Sequence, residues 1–240
     1  MRLAVISDIH GNRFALEAVL DDIFSREKPE AVLNLGDHLS GPVDPLGTAE
    51  ILAGLDQMAI AGNHERAVLA PDRATERVDS YVADQLGEAH LDWVRRLPAT
   101  AVYEEQVFLC HGTPQSDEMP WLNAWWSKRN TTLPDEAYVT QQAQGYDFPL
   151  LLCGHTHLAR AVRLRDGRMI VNPGSVGLQT VHGSPDARYA IVEKRNGCWS
   201  ASLKTVPYNH AAAADAAARN GFAHWDEVLR TGWGGPEGLF

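Results

Sequence analysis

Leu3 to Asn12 reads LAVISDIHGN, and the fold of the whole chain turns on how this stretch is understood. Its first four residues are apolar, a short run of the kind that forms a buried strand, and the run stops at Ser7 and Asp8. Asp8 and His10 stand two positions apart, followed by Gly11 and Asn12. Carboxylate and imidazole are both donors for divalent transition metals, and ligands collect at the carboxyl ends of strands in an α/β sheet. Alone, the stretch allows two readings: a strand end that carries metal ligands, or a loop in which Asp8 caps a helix and His10 has no chemical role. The same arrangement recurs downstream and favours the first.

Outward from the strand, Asn12 is placed to cap a helix reaching about Arg26, in which Leu16, Val19, Leu20 and Ile23 recur at helical spacing. Pro29 breaks it, and Ala31 to Leu35 is a second buried strand ending in Gly36 and Asp37. GPVDP, residues 41–45, makes a turn-rich loop ahead of a helix near Leu46 to Leu55. Met58 to Ala61 is a third short strand running into GNHE, Gly62 to Glu65. Strand, polar residue, loop and helix have then occurred three times, the alternation of βαβ units. Asp72 to Leu97 has a helical period closed by Pro98 and carries no obvious chemistry. Ala101 to Leu109 suits a hairpin leading to His111 and Gly112, and residues 113–145, with Trp121, Trp125 and Trp126 and a helix after Pro134, read as a lid or excursion.

Leu150 to Cys153 is a strand that ends in GHTH, Gly154 to His157. Ala159 to Leu164, Met169 to Val171, Tyr189 to Glu193 and Trp199 to Val206 follow, separated by Asp166-Gly167, by the loop NPGSVG (172–177) and by Asn196-Gly197, and look antiparallel. An early βαβ half and a late β-rich half suggest two packed sheets with helices outside. Residues 207–240 add helices at Ala211 to Ala218 and Trp225 to Leu229 and a glycine-rich tail. No repeat or linker splits the chain, so 1–240 reads as a single domain.

The composition narrows the chemistry. Hydrophobic residues are 45% and charged residues 22% of the 240, the balance of an ordinary globular protein. No run approaches the roughly 18 apolar residues of a membrane span, and the first strand begins at once without a signal peptide, so the cytoplasm is the expected compartment. A net charge of -10 argues against nonspecific nucleic-acid binding, which needs clustered Lys and Arg. An acidic chain that handles phosphate must find positive charge elsewhere, and bound cations are often the largest local charges in such sites. Cys110, Cys153 and Cys198 lack paired spacing and are expected as buried core thiols rather than a disulfide framework.

Asp8, His10, Asp37, Asn63, His111, His155 and His157 are all oxygen or nitrogen donors at strand ends. Mixed imidazole and carboxylate ligation suits Mn, Fe, Co, Ni or Zn, whereas Mg or Ca prefers an all-oxygen shell. No thiolate is among them, which counts against a structural zinc site. Seven donors exceed the need of one tetrahedral ion, and two metals roughly 3.5–4 Å apart are the arrangement that clamps attacking and leaving oxygens in phosphoryl chemistry. Each donor stands beside a glycine in GD, GNH, HG or GHTH, or precedes one in DIHG, where the backbone can turn and approach a ligand closely.

The ordered set DIH, GD, GNHE, HG and GHTH closely resembles the signature of the calcineurin-like metallophosphoesterase superfamily, over about residues 1–193. DIHGN at the start, LGD before a GP and DP loop, and NPGSVG after GHTH resemble its small prokaryotic branch, often labelled phosphodiesterase or diadenosine-tetraphosphatase-like. The resemblance implies an α/β fold, a four-layer α/β/β/α sandwich of two mixed sheets flanked by helices. It implies that Asp8, His10 and His157 hold one divalent transition metal, that Asn63, His111 and His155 hold a second, and that Asp37 bridges them, with Mn favoured. His64 matches the superfamily's general acid. The activity implied is hydrolysis of a phosphoric ester by a hydroxide shared between the metals, on a small phosphorylated substrate for which a nucleotide is a candidate. The alternatives are a silent scaffold of the same fold, a metal-dependent sensor, and a phosphomonoesterase or protein phosphatase. The scaffold is disfavoured because ligands and acid are complete, and the protein phosphatase because Ser40 and Gly41 stand where that branch has Asp and Arg.

Further candidates surround this set. Asp44 or Glu65 could be the carboxylate partner of His64, though Glu65 could equally anchor its loop. His38 is a substrate contact or, more naturally, a solvent-facing loop residue. Trp121 and Arg129, with the neighbouring tryptophans and Lys128, could stack a base and meet a phosphate, or the tryptophans could anchor the lid to the core. His182 could face the cleft. Asn12 either touches phosphate or only caps its helix, and Asn172 and Ser175 shape their loop.

Overall fold

A computed structural model describes residues 1–70, 77–127 and 130–233. The elements in chain order are β1 (Arg2–Ile6), α1 (Arg13–Asp22), β2 (Ala31–Asn34), α2 (Pro45–Gly54), β3 (Met58–Ala59), α3 (Asn63–Leu69), α4 (Arg77–Gln85) and α5 (Glu88–Arg95). Then come β4 (Ala101–Tyr103), β5 (Val107–Leu109), β6 (Ala124–Ser127), β7 (Asn130–Thr132), α6 (Glu136–Gln142), β8 (Leu150–Leu152), β9 (Arg160–Arg163) and β10 (Met169–Asn172). A long hairpin, β11 (Ala187–Arg195) and β12 (Cys198–Val206), precedes α7 (His210–Arg219) and α8 (Asp226–Thr231).

Two five-stranded sheets form, in the orders β12-β11-β1-β2-β3 and β4-β5-β8-β10-β9. The apolar run of β1 is divided between two faces by the period of a strand. Leu3 and Val5 enter the layer between the sheets with Leu33, Leu109, Leu152 and Val171, while Ala4 and Ile6 meet Leu16, Val19, Leu52 and Val82 from the helices. A strand covered on both sides reads as continuously apolar rather than alternating. Phe108, Leu151 and Ile170 face outward from the second sheet onto Trp121, Leu122 and Val139, where α6 provides the fourth layer. Each fully buried aliphatic or aromatic side chain here stabilises the fold by roughly 1.5–3 kcal/mol relative to exposure.

The four late segments do pair antiparallel, β9 with β10 and β11 with β12, but they are divided between the two sheets rather than forming a late half of their own. The β11–β12 hairpin returns to the first sheet, where Arg2 of β1 pairs antiparallel with Glu193. In the second sheet β10 pairs parallel with β8, Met169 opposite Leu150, and β8 pairs parallel with β5. The apolar alternation of Ala190 and Val192 states which face is buried, and leaves open which strand lies alongside.

The helical stretch of 72–97 is two helices, α4 and α5, with Gly87 as the N-cap of the second; positions 71–76 lie outside the described residues. Cys110 and Cys153 are buried, but Cys198, expected inside, is exposed at the start of β12. Asn220, just past α7, donates to the carbonyls of Pro42 and Val43 at 2.8 and 3.2 Å, tying the C-terminal helices to the loop after Asp37. The expected glycine-rich tail falls largely on 234–240, outside the described residues. Among the described residues no helix is long and apolar enough to cross a membrane.

Candidate metal centre

The parallel strands place their carboxyl ends along one edge, so the loops after β1, β2, β3, β5 and β8 meet there. Five of the donor residues carry a positive φ: Asp8 (55°), His10 (49°), Asp37 (54°), His155 (65°) and His157 (59°). This region is sparsely populated by residues with a β-carbon, although Asp and His tolerate it better than most, and such strain concentrates at functional sites. A mesh of main-chain bonds holds it: Ile9 N–H to Asp37 O at 2.8 Å, Val176 N–H to Ser7 O at 2.9 Å, and Gly177 N–H to Asp8 O at 3.1 Å. Two glycines make room. A β-carbon on Gly62 would stand 2.2 Å from Asp37 Oδ1, and one on Gly154 would stand 2.1 Å from Ser7 Oγ.

The imidazoles are aimed by their second nitrogens. His10, His111 and His157 each place Nδ1 2.7 Å from a carbonyl oxygen, of Ser40, Leu35 and Leu178 respectively. A carbonyl only accepts, so each Nδ1 carries the proton and each Nε2 points inward, the arrangement typical of metal-ligating histidines. Asp8, His10 and His157 form one group and Asp37, His111 and His155 another, the donor atoms of each lying within 4.8 Å of one another. Asp37 Oδ2 lies 3.1 Å from His111 Nε2 and 3.9 Å from His10 Nε2, so it faces both groups. Asn63 Oδ1 lies 3.1 Å from His111 Nε2 and 3.1 Å from His155 Nδ1.

These residues fit a pair of cations. His10 Nε2 and His157 Nε2 stand 3.1 Å apart, two inward ring nitrogens brought together while both Nδ1 atoms are committed to carbonyls. Asp8 Oδ1 is buried without a hydrogen bond among the described residues, 3.3 Å from His157 Nε2. Burial, aided by His157, pushes His10 down to about 4, and burial, aided by His111, pushes His155 down to about 4. Burial pushes the Asp8 and Asp37 carboxyls up, but the surrounding imidazoles outweigh it and hold both below the ordinary carboxylate range. Burial also opposes charge on His111, yet Asp37 and Asp8 raise it to about 10. Ionised carboxylates beside neutral imidazoles are the state a divalent cation requires, and the proton on His111 occupies a place where such a cation would supply the positive charge.

His64 adjoins both groups. Its main-chain N–H donates to Asp37 Oδ1 at 3.0 Å, its ring lies edge-on to that of His10 with centroids 5.3 Å apart, and its Nδ1 is 3.4 Å from Asp79 Oδ1. Among the described contacts, neither carboxylate suggested by the sequence meets this ring. Asp44 caps α2 by accepting from Gly47 N–H at 2.9 Å and faces Arg13 at 3.4 Å. Glu65 accepts from the N–H groups of Asp37 (2.8 Å), His38 (2.8 Å) and Gly62 (2.7 Å), and so is the loop anchor. Asp79 was hidden in a helix that carries no motif. The available signal was an acid on the buried face of α4, shared with Val78 and Val82.

Other candidates are redistributed. His38 is not solvent-facing but 0% exposed, 3.2 Å from Glu65 Oε1 and edge-on to Trp93. Asn12 is buried; its Oδ1 accepts from Ala15 N–H at 3.2 Å and its amide donates to Gly177 O at 2.9 Å, which makes it a cap and brace rather than a phosphate contact. Trp121, 1% exposed, donates from Nε1 to Val139 O at 3.0 Å and anchors α6, leaving no face for a base. His182 is exposed and stacks near Trp233 at 5.7 Å, and none of its described contacts reaches the cluster. Arg129 and Lys128 lie outside the described residues. Asn172 and Ser175 brace the loops: the Asn172 amide donates to Gly154 O at 2.6 Å and the Ser175 hydroxyl to Asp8 O at 2.7 Å.

Because Glu65 satisfies three buried N–H groups from two ligand-bearing loops, Glu65→Ala is expected to reduce unfolding free energy by about 3–5 kcal/mol, each orphaned group costing roughly 1–3 kcal/mol. Denaturant unfolding measures this, and a loss under about 1 kcal/mol would remove Glu65 from its anchoring role.

The calcineurin-like phosphoesterase family model matches residues 1–159. The chain is 26% identical over 247 residues to the uncharacterized protein MJ0912 of Methanocaldococcus jannaschii, covering 93% of this chain and 94% of that one. Its fold is similar to the crystal structure of a metallophosphoesterase from Sphaerobacter thermophilus, with 25% identity, 96% and 98% of the two chains covered and a TM-score of 0.76. The hypothetical protein PH1004 from Pyrococcus horikoshii OT3 shares the fold at 18% identity, with 96% and 98% covered and a TM-score of 0.78.

Proposed function

The chain belongs to the calcineurin-like phosphoesterase family, and on that premise we propose that it is a dinuclear-metal phosphodiesterase or nucleotide phosphohydrolase with His64 as general acid. As a member it is a metal-dependent phosphoric ester hydrolase acting on a small phosphorylated substrate. The observation that carries the finer reading is the pair of donor groups with Asp37 facing both.

In this reading Asp8, His10 and His157 would hold one cation, Asn63, His111 and His155 would hold the other, and Asp37 would serve both. Two divalent cations, when bound, lower the pKa of water toward neutrality and stabilise charge on the phosphoryl oxygens. The chain's own residues do the rest. The Nδ1–carbonyl bonds of His10, His111 and His157 lock the donors before substrate arrives, which lowers the reorganisation required during reaction. His64, beside Asp37 and edge-on to His10, supplies the proton that the departing oxygen needs. The donors, mixing imidazole, amide and carboxylate without thiolate, suit Mn, Fe, Co, Ni or Zn, and the family resemblance favours Mn among them. A cytoplasmic setting suits the unpaired Cys110, Cys153 and Cys198.

The test is turnover of bis-p-nitrophenyl phosphate by Mn-loaded protein, with a panel of diadenosine polyphosphates, cyclic nucleotides and phosphomonoesters beside it. Turnover that a chelator abolishes and added Mn restores is expected. No turnover of any substrate with any of several metals would overturn the reading.

A further inference from the structure

We propose that Asp79, delivered by α4 from outside the ligand loops, is the positioning residue of His64: it accepts the ring's Nδ1 proton and so aims Nε2 at the metal cluster. The inference rests on the phosphoesterase reading for its chemistry, and on geometry for its assignment.

Asp79 is 1% exposed, and no Lys or Arg ion pair to it is described. A buried carboxylate without a cationic partner is costly, so its surroundings must account for it. One oxygen, Oδ1, accepts from the hydroxyl of Ser40 and lies 3.4 Å from His64 Nδ1. The other, Oδ2, is buried without a hydrogen bond among the described residues. Such an acid in a structural role would be better replaced by an apolar residue of the same helix face, where Val78 and Val82 already sit. What it does face is an imidazole whose main chain is tied to Asp37.

Among its described contacts, His64 is held by Asp37 through the backbone and by Asp79 through the ring. Ser40, three residues after Asp37, in turn fixes the acid. A carboxylate on one ring nitrogen sets the tautomer and orientation of the other, as in any nucleophile, base and orienter arrangement, and the 3.4 Å contact is of the long kind that tightens once substrate is bound. In the step itself the Nε2–H bond breaks as a bond from that proton to the leaving oxygen forms. The P–O bond to that oxygen breaks with its electron pair going to the oxygen, while water adds to phosphorus and releases a proton to solvent. The ring ends neutral, its Nδ1–H still on Asp79.

Asp79→Asn, which keeps shape and the Ser40 contact, tests this against a structural role. Expected is a kcat roughly 10–100-fold lower on a diester with an alkyl leaving group, with KM and bound metal unchanged. With p-nitrophenolate, which leaves without a proton, the loss should be several-fold smaller, following the Brønsted dependence of acid catalysis. In a His64→Ala background the same substitution should change nothing further. Nitrogen NMR of the His64 ring should report Nδ1–H in the wild-type chain and a changed tautomer in Asp79→Asn, whether or not any substrate turns over. Ser40→Ala, which leaves the carboxylate in place, should show the same leaving-group bias more weakly. Equal losses on both leaving groups, a further loss without His64, or an unaltered ring tautomer would each overturn the proposal. Absence of wild-type turnover alongside the expected ring signature would instead count against the phosphoesterase chemistry and leave the positioning contact standing.

Discussion

Asp37→Ala is expected to strip metal from both sites at once and to lower turnover by on the order of 10³-fold or more, since a catalytic metal contributes several kcal/mol of transition-state stabilisation. The expectation joins the family resemblance, which makes Asp37 the bridge, to its position: Asp37 Oδ2 lies near an Nε2 of each donor group, 3.1 Å from His111 and 3.9 Å from His10. Asp8 Oδ1 also reaches across, 3.3 Å from His157 and 3.9 Å from His111, but it is grouped with His10 and His157, so Asp37→Ala and Asp8→Ala must be compared. Asp37 Oδ1 is occupied in a different way, by the main-chain N–H of His64, so its loss also loosens the acid. Asp8→Ala is therefore the informative control: it removes a donor from one group and should spare the metal held by His111, His155 and Asn63. Elemental analysis of the two variants, set beside their kcat, separates a shared ligand from an ordinary one. Retention of two equivalents by Asp37→Ala would refute the bridge.

His64→Ala is the second large effect, and its signature differs. The ring belongs to neither donor group, so metal content should stay at the wild-type level while kcat falls by roughly 10²–10⁴-fold, the usual contribution of a positioned general acid. The fall should be steepest for substrates with basic leaving groups. KM should move little, because the proton is transferred only as the bond to the leaving oxygen breaks. A variant that loses its metal, or that turns over an alkyl diester as fast as wild type, would assign His64 to ligation or to neither role.

The strand-end donors were legible because each lies in a short loop that follows an apolar run and contains a glycine, and both signals are local. Leu3 to Ile6 could be recognised as a strand buried on both faces, and the loop after it as a place where ligands gather. Asp79 was not legible in the same way. Its contacts with Ser40 and His64 span 39 and 15 positions, and nothing beside it in α4 marks an active residue except an acid on the wrong face. His38 was misplaced for a related reason: Trp93 on α5 covers it, and which helix packs over a loop is a tertiary fact. The return of β11–β12 to the first sheet was hidden because alternation reports burial and not neighbours. Glu65 lay between two readings until the N–H groups of Asp37, His38 and Gly62 were seen to converge on it.

The central claim is that two cations sit in one cluster built from Asp8, His10, Asp37, Asn63, His111, His155 and His157. Metal stoichiometry of the purified chain, titrated with Mn and followed by elemental analysis after removal of unbound ion, tests it most directly. The account predicts saturation at two equivalents per chain, with turnover reaching its maximum only as the second is filled. Saturation at one equivalent with full activity, or no specific binding at all, would contradict it.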